Sequence, residues 1–569
     1  QTSDGRLVVT YNGEIYNYPE LRRELESLGH VFRTHHSDTE VLLHGYRQWG
    51  EDLPVRLNGM WAFAIYDQSS DRLFLSRDRF GKKPIYYTRQ NGTFAFASEL
   101  TALLKHSRVT ASVSQLGLKK YFAYGFIPSP QTIFTGIHKL PGGHNLVVDM
   151  KLHEYRERAY WEFVLEPEES PQDENVLNEQ LHELLKQAVE RRLISDVPLG
   201  VFLSGGLDSS AVAALAGRAL GGRRLKTFSI GFTDPSFDES EYARMAAASV
   251  NSEHHEEVFS MEQAKSLLPE IATRLDEPMG DSSILPTFLL CRSAGRHVKA
   301  ALGGDGGDEL FAGYDPFLAL RFADLYDRFT PRPVHKAIRL VMSRWPASHG
   351  YMAWSFRIKR TLRGLSYPWA IRNPVWLGPL EPSELDELFM EPVDVEEVYS
   401  EAISVWEKGT ATSPVDRTLQ FYTRLYLCDD ILVKIDRAGM MNSLEVRAPF
   451  LDIDLINFVR RLPKEYKIRG RVTKYLLRKT VAQMVPEAII HRPKKGFAPP
   501  IGRWLAEERW PWPENVKETF FHPGYLKARL EEHRRGYDDH RGFLWNAWLL
   551  SMMGLKQRAG SHAPVTGQL

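Results

Sequence analysis

The stretch GVFLSGGLDSS, Gly200 to Ser210, decides how this chain is read. VPLGVFL before the turn is apolar and β-branched at its start, which predicts a short buried strand. SAVAALAGRAL after it predicts a close-packed helix. Between the two, Ser204, Gly205 and Gly206 leave backbone N–H groups free and put little side chain in the way of an anion. Free amides at a helix N-terminus, with the helix dipole behind them, suit phosphate. Asp208 adds a carboxylate beside those phosphates, which makes sense with a cation between them. A GxxxxGK[ST] loop is excluded, because an acid and serines stand where its lysine would be. The competing reading is a tight turn whose glycines serve packing alone.

Downstream residues support the nucleotide reading. KTFSIGF, Lys226 to Phe232, follows at the spacing of a βαβ unit. VKAALGGDGGDELFAGY, Val298 to Tyr314, predicts a third strand running into a second glycine-rich turn, with Asp305, Asp308 and Glu309 close together. Ligands gather at the carboxyl edge of open α/β sheets. Asp208 on one turn and Asp308 on another could therefore hold one Mg²⁺ over a triphosphate.

The chain has 569 residues, and two domains are the natural expectation. Lys plus Arg balances Asp plus Glu at 72 each, so no nucleic-acid partner is implied. No apolar run is long enough to cross a bilayer. Cys291 and Cys428 match no metal or redox spacing, which favours a reducing, cytoplasmic setting while leaving one disulfide open. The paired histidines His35–His36 and His254–His255 lack a third group at metal-ligand spacing. The first residue is not Met and the start falls inside what reads as a hairpin, so a truncated N-terminus is expected. Residues 1–164 alternate short strands with helices near Tyr18–Leu28 and Thr39–Trp49. Residues 165–175, LEPEESPQDEN, read as an exposed linker, and 176–569 as a second domain, α/β to about Leu320 and helical beyond.

YNGEIYNY, SDTEVLLHGY, FLSRDRFGKKPIYY and FASELTALL resemble the glutaminase half of asparagine synthetases. SGGLDSS, FSIGF, DEPMGDSSILPTFLL, GGDGGDELFAGY, DRAGMMNSLEVRAPFLD and TKYLLRK resemble the synthetase half, in the same order. The resemblance implies an Ntn-hydrolase-type αββα sandwich, here truncated. Joined to it would be an adenine-nucleotide α-hydrolase-like, doubly wound parallel sheet with a helical extension. Such enzymes convert aspartate, ATP and glutamine into asparagine, AMP, pyrophosphate and glutamate. A homodimer is also suggested.

Carried over by position, Ser204, Gly205, Gly206, Ser209 and Ser210 would cradle the pyrophosphate, Asp208 and Asp308 would hold Mg²⁺, and Lys474 would meet the α-phosphate. Phe202, Ile230, Gly303 and Gly304 would contact the nucleoside, and Glu277, Asp281, Ser282 and Ser283 the aspartate. Asp305 stands where some relatives carry Glu and is the candidate general base for ammonia; its shorter side chain alters the acceptor geometry. HRPKKGF, His491 to Phe497, reads either as a phosphate-facing segment or as an exposed basic loop. WPASHGYMAWSFRIKRTLRGL reads as a helical insertion packed on the core.

In the N-terminal half, Asn12 and Gly13 match the oxyanion-stabilising pair, and Glu14 and Asp38 the acids that bind the glutamine α-ammonium. A type I′ hairpin turn is the competing reading of Asn12–Gly13. The family's N-terminal Cys nucleophile has no counterpart before Cys291, so the sequence as it stands is expected to use free ammonia rather than hydrolyse glutamine. An acceptor other than aspartate, such as a sugar acid, stays open; ring closure without ammonia and a silent scaffold fit less well.

Overall fold

The computed structural model describes residues 1–554 apart from 3, 153, 170–171, 349, 351–352, 410, 412, 508–509, 511 and 513–519. Parts of the expected linker and of the basic aromatic insertion, and the end of the second domain, lie outside the described residues.

The N-terminal half stacks two antiparallel sheets. Strands β1 (Leu7–Ile15), β2 (Gly59–Asp67), β3 (Arg72–Arg77), β7 (His144–Asp149) and β8 (Glu154–Ala159) form one, in that order. Strands β5 (Thr93–Ala97), β4 (Tyr86–Gln90) and β6 (Ile137–Lys139) form the other. Period-2 alternation along β2 sorts the layers. Trp61, Phe63 and Ile65 pack with Leu21, Leu25, Val41 and Leu42 of the helices Tyr18–Ser27 and Asp38–Trp49. Ala62 and Ala64, with Leu146 and Val148 of the same sheet, face the second sheet and meet Ile85 and Tyr87. The helix Gln115–Tyr124 gives Leu118, Tyr121 and Phe122 to the core of the C-terminal half and packs on the helices Trp369–Leu377 and Pro382–Leu388. The two halves therefore share one continuous interior, pinned by the buried ion pair Lys83–Asp436 at 2.9 Å and by Asp276, whose carboxylate accepts from the Leu100 and Thr101 amides at 3.0 Å each.

The C-terminal half is built on an all-parallel sheet of β9 (Leu199–Phe202), β10 (Lys226–Phe232), β11 (Glu253–Phe259), β12 (Ala300–Leu302) and β13 (Glu445–Arg447). Its spatial order is β11-β10-β9-β12-β13, so the winding reverses between β9 and β12. The helix Leu207–Ala219 springs from β9 and is buried along most of its length, as its small apolar residues require.

Two competing readings fall away, and one expectation changes. Asn12 and Gly13 lie inside β1, paired with Ala62 and Trp61, so they are not a hairpin turn. A Cβ on Gly13 would stand 2.1 Å from the Met60 carbonyl oxygen, which is why glycine occupies that position. The linker is partly docked: Leu165 is buried, and the Glu166 and Glu168 amides donate to the Arg460 and Arg461 carbonyls at 2.9 Å each. Cys291 and Cys428 are both free thiols, which closes the disulfide alternative. The described part of the basic insertion forms the helix Trp354–Leu365, packed on its neighbour Trp369–Leu377. Among the described residues no helix is long and apolar enough to cross a membrane.

Candidate active site

At the reversal of the sheet, the turn after β9 and the turn after β12 lie side by side over a cavity of about 340 Å³. Crevices of this kind, outside the carboxyl ends of strands at a topological switch point, are where open α/β sheets bind ligands. Of the residues singled out from sequence, Phe202, Ser204, Gly206, Asp208, Ser209 and Ile230 line it from β9, β10 and their turns. Gly303, Gly304, Asp305 and Asp308 line it from the second turn, joined by Asp281, Ser283 and Lys474. Gly206 caps the helix Leu207–Ala219 without a side-chain hydrogen bond, so first-turn amides remain available at the cavity edge.

The glycines of the second turn have a packing role as well as an approach role. A Cβ on Gly304 would come within 3.0 Å of the Ser209 amide, and one on Gly307 within 2.6 Å of the Asp208 carboxyl carbon. The two turns interlock only because those side chains are absent. Gly205 serves differently from expectation. Its φ is +67°, in the left-handed region, and its missing side chain makes room for the backbone of Tyr242 and Ala243. It does not line the cavity, and its carbonyl accepts from Arg492 at 2.8 Å. Ser210 also lies beneath the surface, its amide bonded to the Gly206 carbonyl.

Lys474 binds the site together. Its Nζ stands 2.5 Å from Asp208 Oδ2 and 2.5 Å from Asp308 Oδ1, while Lys494 Nζ lies 2.6 Å from Asp308 Oδ2. Lys474 reaches this point from a left-handed backbone, φ 53°, unusual for a non-glycine residue and a conformation that costs on the order of 1–3 kcal/mol. Burial pushes Asp308 up, but Lys474 and Lys494 outweigh it and hold the carboxyl well below the usual range. Burial raises Asp208, only partly opposed by Lys474. Glu309, buried beside the Asp308 charge, is raised to about 7 and accepts the Tyr314 hydroxyl proton. Asp208 Oδ1 is buried without a hydrogen-bond partner, a free lone pair at the cavity wall. Two carboxylates and a substrate's phosphates are a donor set that fits Mg²⁺.

Beyond the turns, Lys434 Nζ contacts Asp281 Oδ2 at 2.7 Å and Ser283 Oγ at 2.9 Å. Ser282 faces the neighbouring, larger cavity instead. Glu277 is placed elsewhere: its carboxylate takes Lys139 Nζ at 2.9 Å and the Ile133 amide at 2.8 Å, both from the N-terminal half. It closes the junction between halves and does not line the nucleotide cavity.

On the N-terminal half, Asn12, Gly13 and Glu14 follow one another along β1, the edge strand of its sheet. Asp38 begins the helix capped by Ser37 and accepts from Tyr11 Oη at 2.8 Å and the Ile15 amide at 3.2 Å. Glu14 is raised to about 7, by burial first and then by Glu445 and Asp38, against Arg447 at 3.7 Å. Arg447 belongs to β13, so the far half of the chain tunes this acid.

Sequence reasoning passed over Lys434 and Gly313. A lysine in the run LVKIDRAG carries no local mark of function. Gly313 is decisive nonetheless, since a Cβ there would stand 2.0 Å from Asp308 Oδ1 and 2.2 Å from Lys474 Cε. HRPKKGF does reach the cavity, through Arg492, Lys494 and Phe497.

Residues 180–555 match the asparagine synthase family, and residues 1–161 match the glutamine amidotransferase domain. Asparagine synthetase (glutamine-hydrolyzing) 1 of Bacillus subtilis is 31% identical over 544 residues, covering 94% of this chain and 83% of the relative. Asparagine synthetase (glutamine-hydrolyzing) 3 of the same organism is 32% identical, over 86% of this chain and 75% of the relative. A protein named amidase chyE, from Penicillium rubens, is 25% identical over 88% and 78%.

Proposed function

The chain belongs to the asparagine synthase family, and from that premise we propose that it amidates the β-carboxylate of aspartate at the expense of ATP. A carboxylate is a poor acyl donor at neutral pH, so it is activated first. One β-carboxylate oxygen attacks the α-phosphorus, the bond from that phosphorus to the bridging oxygen breaks, and pyrophosphate leaves from β-aspartyl-AMP. Ammonia then attacks the acyl carbon, AMP departs, and Asp305 takes the surplus proton.

The observation that carries this reading is the pair Asp208 and Asp308, on neighbouring strand ends around one lysine in one cavity. Lys474 offsets negative charge as the α-phosphate is attacked, and the amides at the start of the helix Leu207–Ala219 meet the departing pyrophosphate. Asp208 and Asp308 would hold Mg²⁺, which when bound neutralises phosphate charge. Lys434, fixed by Asp281 and Ser283, offers a cation to the α-carboxylate of the amino acid. Asn12, Gly13, Glu14 and Asp38 form the glutamine-binding side.

A larger acceptor such as a sugar acid is the second reading. It is favoured by the adjoining cavity of about 1530 Å³, which shares Tyr314, Arg478 and Arg492 with the nucleotide cavity and exceeds what aspartate fills. Pyrophosphate release, screened over carboxylic acids with ammonia supplied, separates the two. Release with aspartate alone supports the first reading, release with a larger acid alone replaces it with the second, and release with no acid refutes both.

A further inference from the structure

The helical extension carries an apolar face that no described residue covers. Its helix Asp315–Phe329 has two apolar sides. Phe317, Leu320 and Ala323 are buried in the core, as the inner side of a surface helix should be. Phe322, Leu325 and Phe329, spaced three and four residues apart, share the opposite side and stand 57–69% exposed. The next helix, Arg332–Ser343, is laid inside out. Its polar side meets the protein, with His335 Nε2 at 2.9 Å from Ser366 Oγ and Arg339 at 2.7 Å from Glu381. Its apolar side, Val334 and Val341 with Trp345 one turn on, is exposed, and none of its 12 residues is buried. The helix Trp354–Leu365 packs on both others and adds Trp354 and Ile358, one turn apart and exposed. Trp354 meets Trp345 edge-on, with ring centres 5.3 Å apart.

Charge follows the same segment. From Asp315 to Leu365, ten Lys and Arg stand against three Asp and no Glu, in a chain whose formal charges cancel. Arg328 lies over the exposed Phe329 ring at 5.7 Å, so cations and apolar groups are interleaved. Contiguous exposed apolar surface of this kind marks an interaction site. A second copy of the chain is a poor cover, because a two-fold contact through this face would set its cations against their own counterparts. An anionic surface gains from each of them.

We propose that this three-helix face docks in the plane of an anionic bilayer surface. Phe322, Phe329, Val341 and Trp345 enter the boundary between headgroups and acyl chains, while Arg328 and Arg344, next to Phe329 and Trp345 in the chain, meet lipid phosphates. Aromatic side chains, tryptophan above all, settle at that boundary. Docking of this kind uses amphipathic helices lying flat and needs none long enough to span. Arg357 and Arg360 of the third helix also line the large cavity beside the nucleotide site, so a docked chain holds that cavity near the headgroups.

Sedimentation of the full chain with vesicles tests this, using phosphatidylcholine alone and phosphatidylcholine mixed with phosphatidylglycerol. The parent should sediment with the mixed vesicles, stay in solution with the neutral ones, and be released as salt rises. Phe329→Ser should lower the partition coefficient about tenfold, the size of one large apolar side chain left in water. Arg328→Gln should lower it about fivefold, the size of one charge removed near an anionic surface. Both side chains are exposed, so the melting temperature should stay at the parental value, and if one variant misfolds the other decides. No sedimentation with either vesicle, equal sedimentation with both, or binding that neither substitution weakens overturns the proposal. A chain that ignores vesicles but dimerises, and turns monomeric with Phe329→Ser, also overturns it and gives the face to a second copy. None of these readouts depends on which reaction the chain performs.

Discussion

In the nucleotide cavity, Asp208 and Asp308 are buried and share Lys474 at 2.5 Å, with Lys494 behind them. On β1, Glu14 is half-buried, its nearest cation Arg447 stands 3.7 Å away, and Glu445 and Asp38 repel it. The first arrangement keeps Asp308 ionised far below neutral pH; the second leaves Glu14 titrating near 7. Asp308 should therefore hold its share of a phosphate site without regard to pH near neutrality, and the grip of Glu14 on an α-ammonium should vary with it. The difference comes from topology. The cavity draws on turns that a sheet reversal forces together, whereas Glu14 sits on an edge strand whose charged neighbours come from β13.

The comparison breaks most severely at Lys474. Lys474→Met should cut acceptor-dependent pyrophosphate release by about 10²–10³-fold, as expected for losing a charged donor at the reacting phosphate. It also leaves two carboxylates facing each other, so a lowered melting temperature should accompany the loss. Retained release would remove the lysine from the chemistry. Gly313→Ala should cost somewhat less, about 10²-fold, by pushing Lys474 Cε and Asp308 Oδ1 aside; a variant with parental kinetics would mean the cluster tolerates displacement.

On the other region, Glu14→Gln should weaken glutamine binding by about tenfold or more, read by calorimetry, and leave pyrophosphate release untouched. The sign of the pH effect follows from the raised value. Glu14 is protonated below about 7 and charged above it, so glutamine affinity should rise between pH 6 and 8. Affinity that is flat or falling over that interval would detach Glu14 from the ligand. The smallest effect belongs to Glu445→Gln. Removing that repulsion, and releasing Arg447 from its 2.7 Å contact with Glu445, should move the glutamine-binding midpoint to a lower pH by less than one unit.

The turns after β9 and β12 were legible because strand, glycine turn and helix start are local patterns, and Asp208 and Asp308 lie within them. Lys474 was reachable only through resemblance, since it arrives from a distant segment on a left-handed backbone that no propensity marks. Glu277 shows the opposite limit. It shares a motif with Asp281, yet the chain turns between them, so one carboxylate pins Lys139 and the other holds Lys434. The interior that the two compositional halves share was not legible, because Leu118 and Phe122 belong to one half by sequence and to the other by packing. Lys82 and Lys83, adjacent in FLSRDRFGKKPIYY, carry no local mark of the burial the structure gives them.

The central claim concerns which bond of ATP is broken. Phosphorus NMR of the parent chain turning over with Mg²⁺, aspartate and ammonia reads this in one spectrum. AMP and pyrophosphate accumulating in equal amounts, only when the acid is present, is the expected result. ADP and inorganic phosphate would contradict it, because attack would then fall on the terminal phosphate and the lysine-bridged aspartates would have no carboxylate to adenylate.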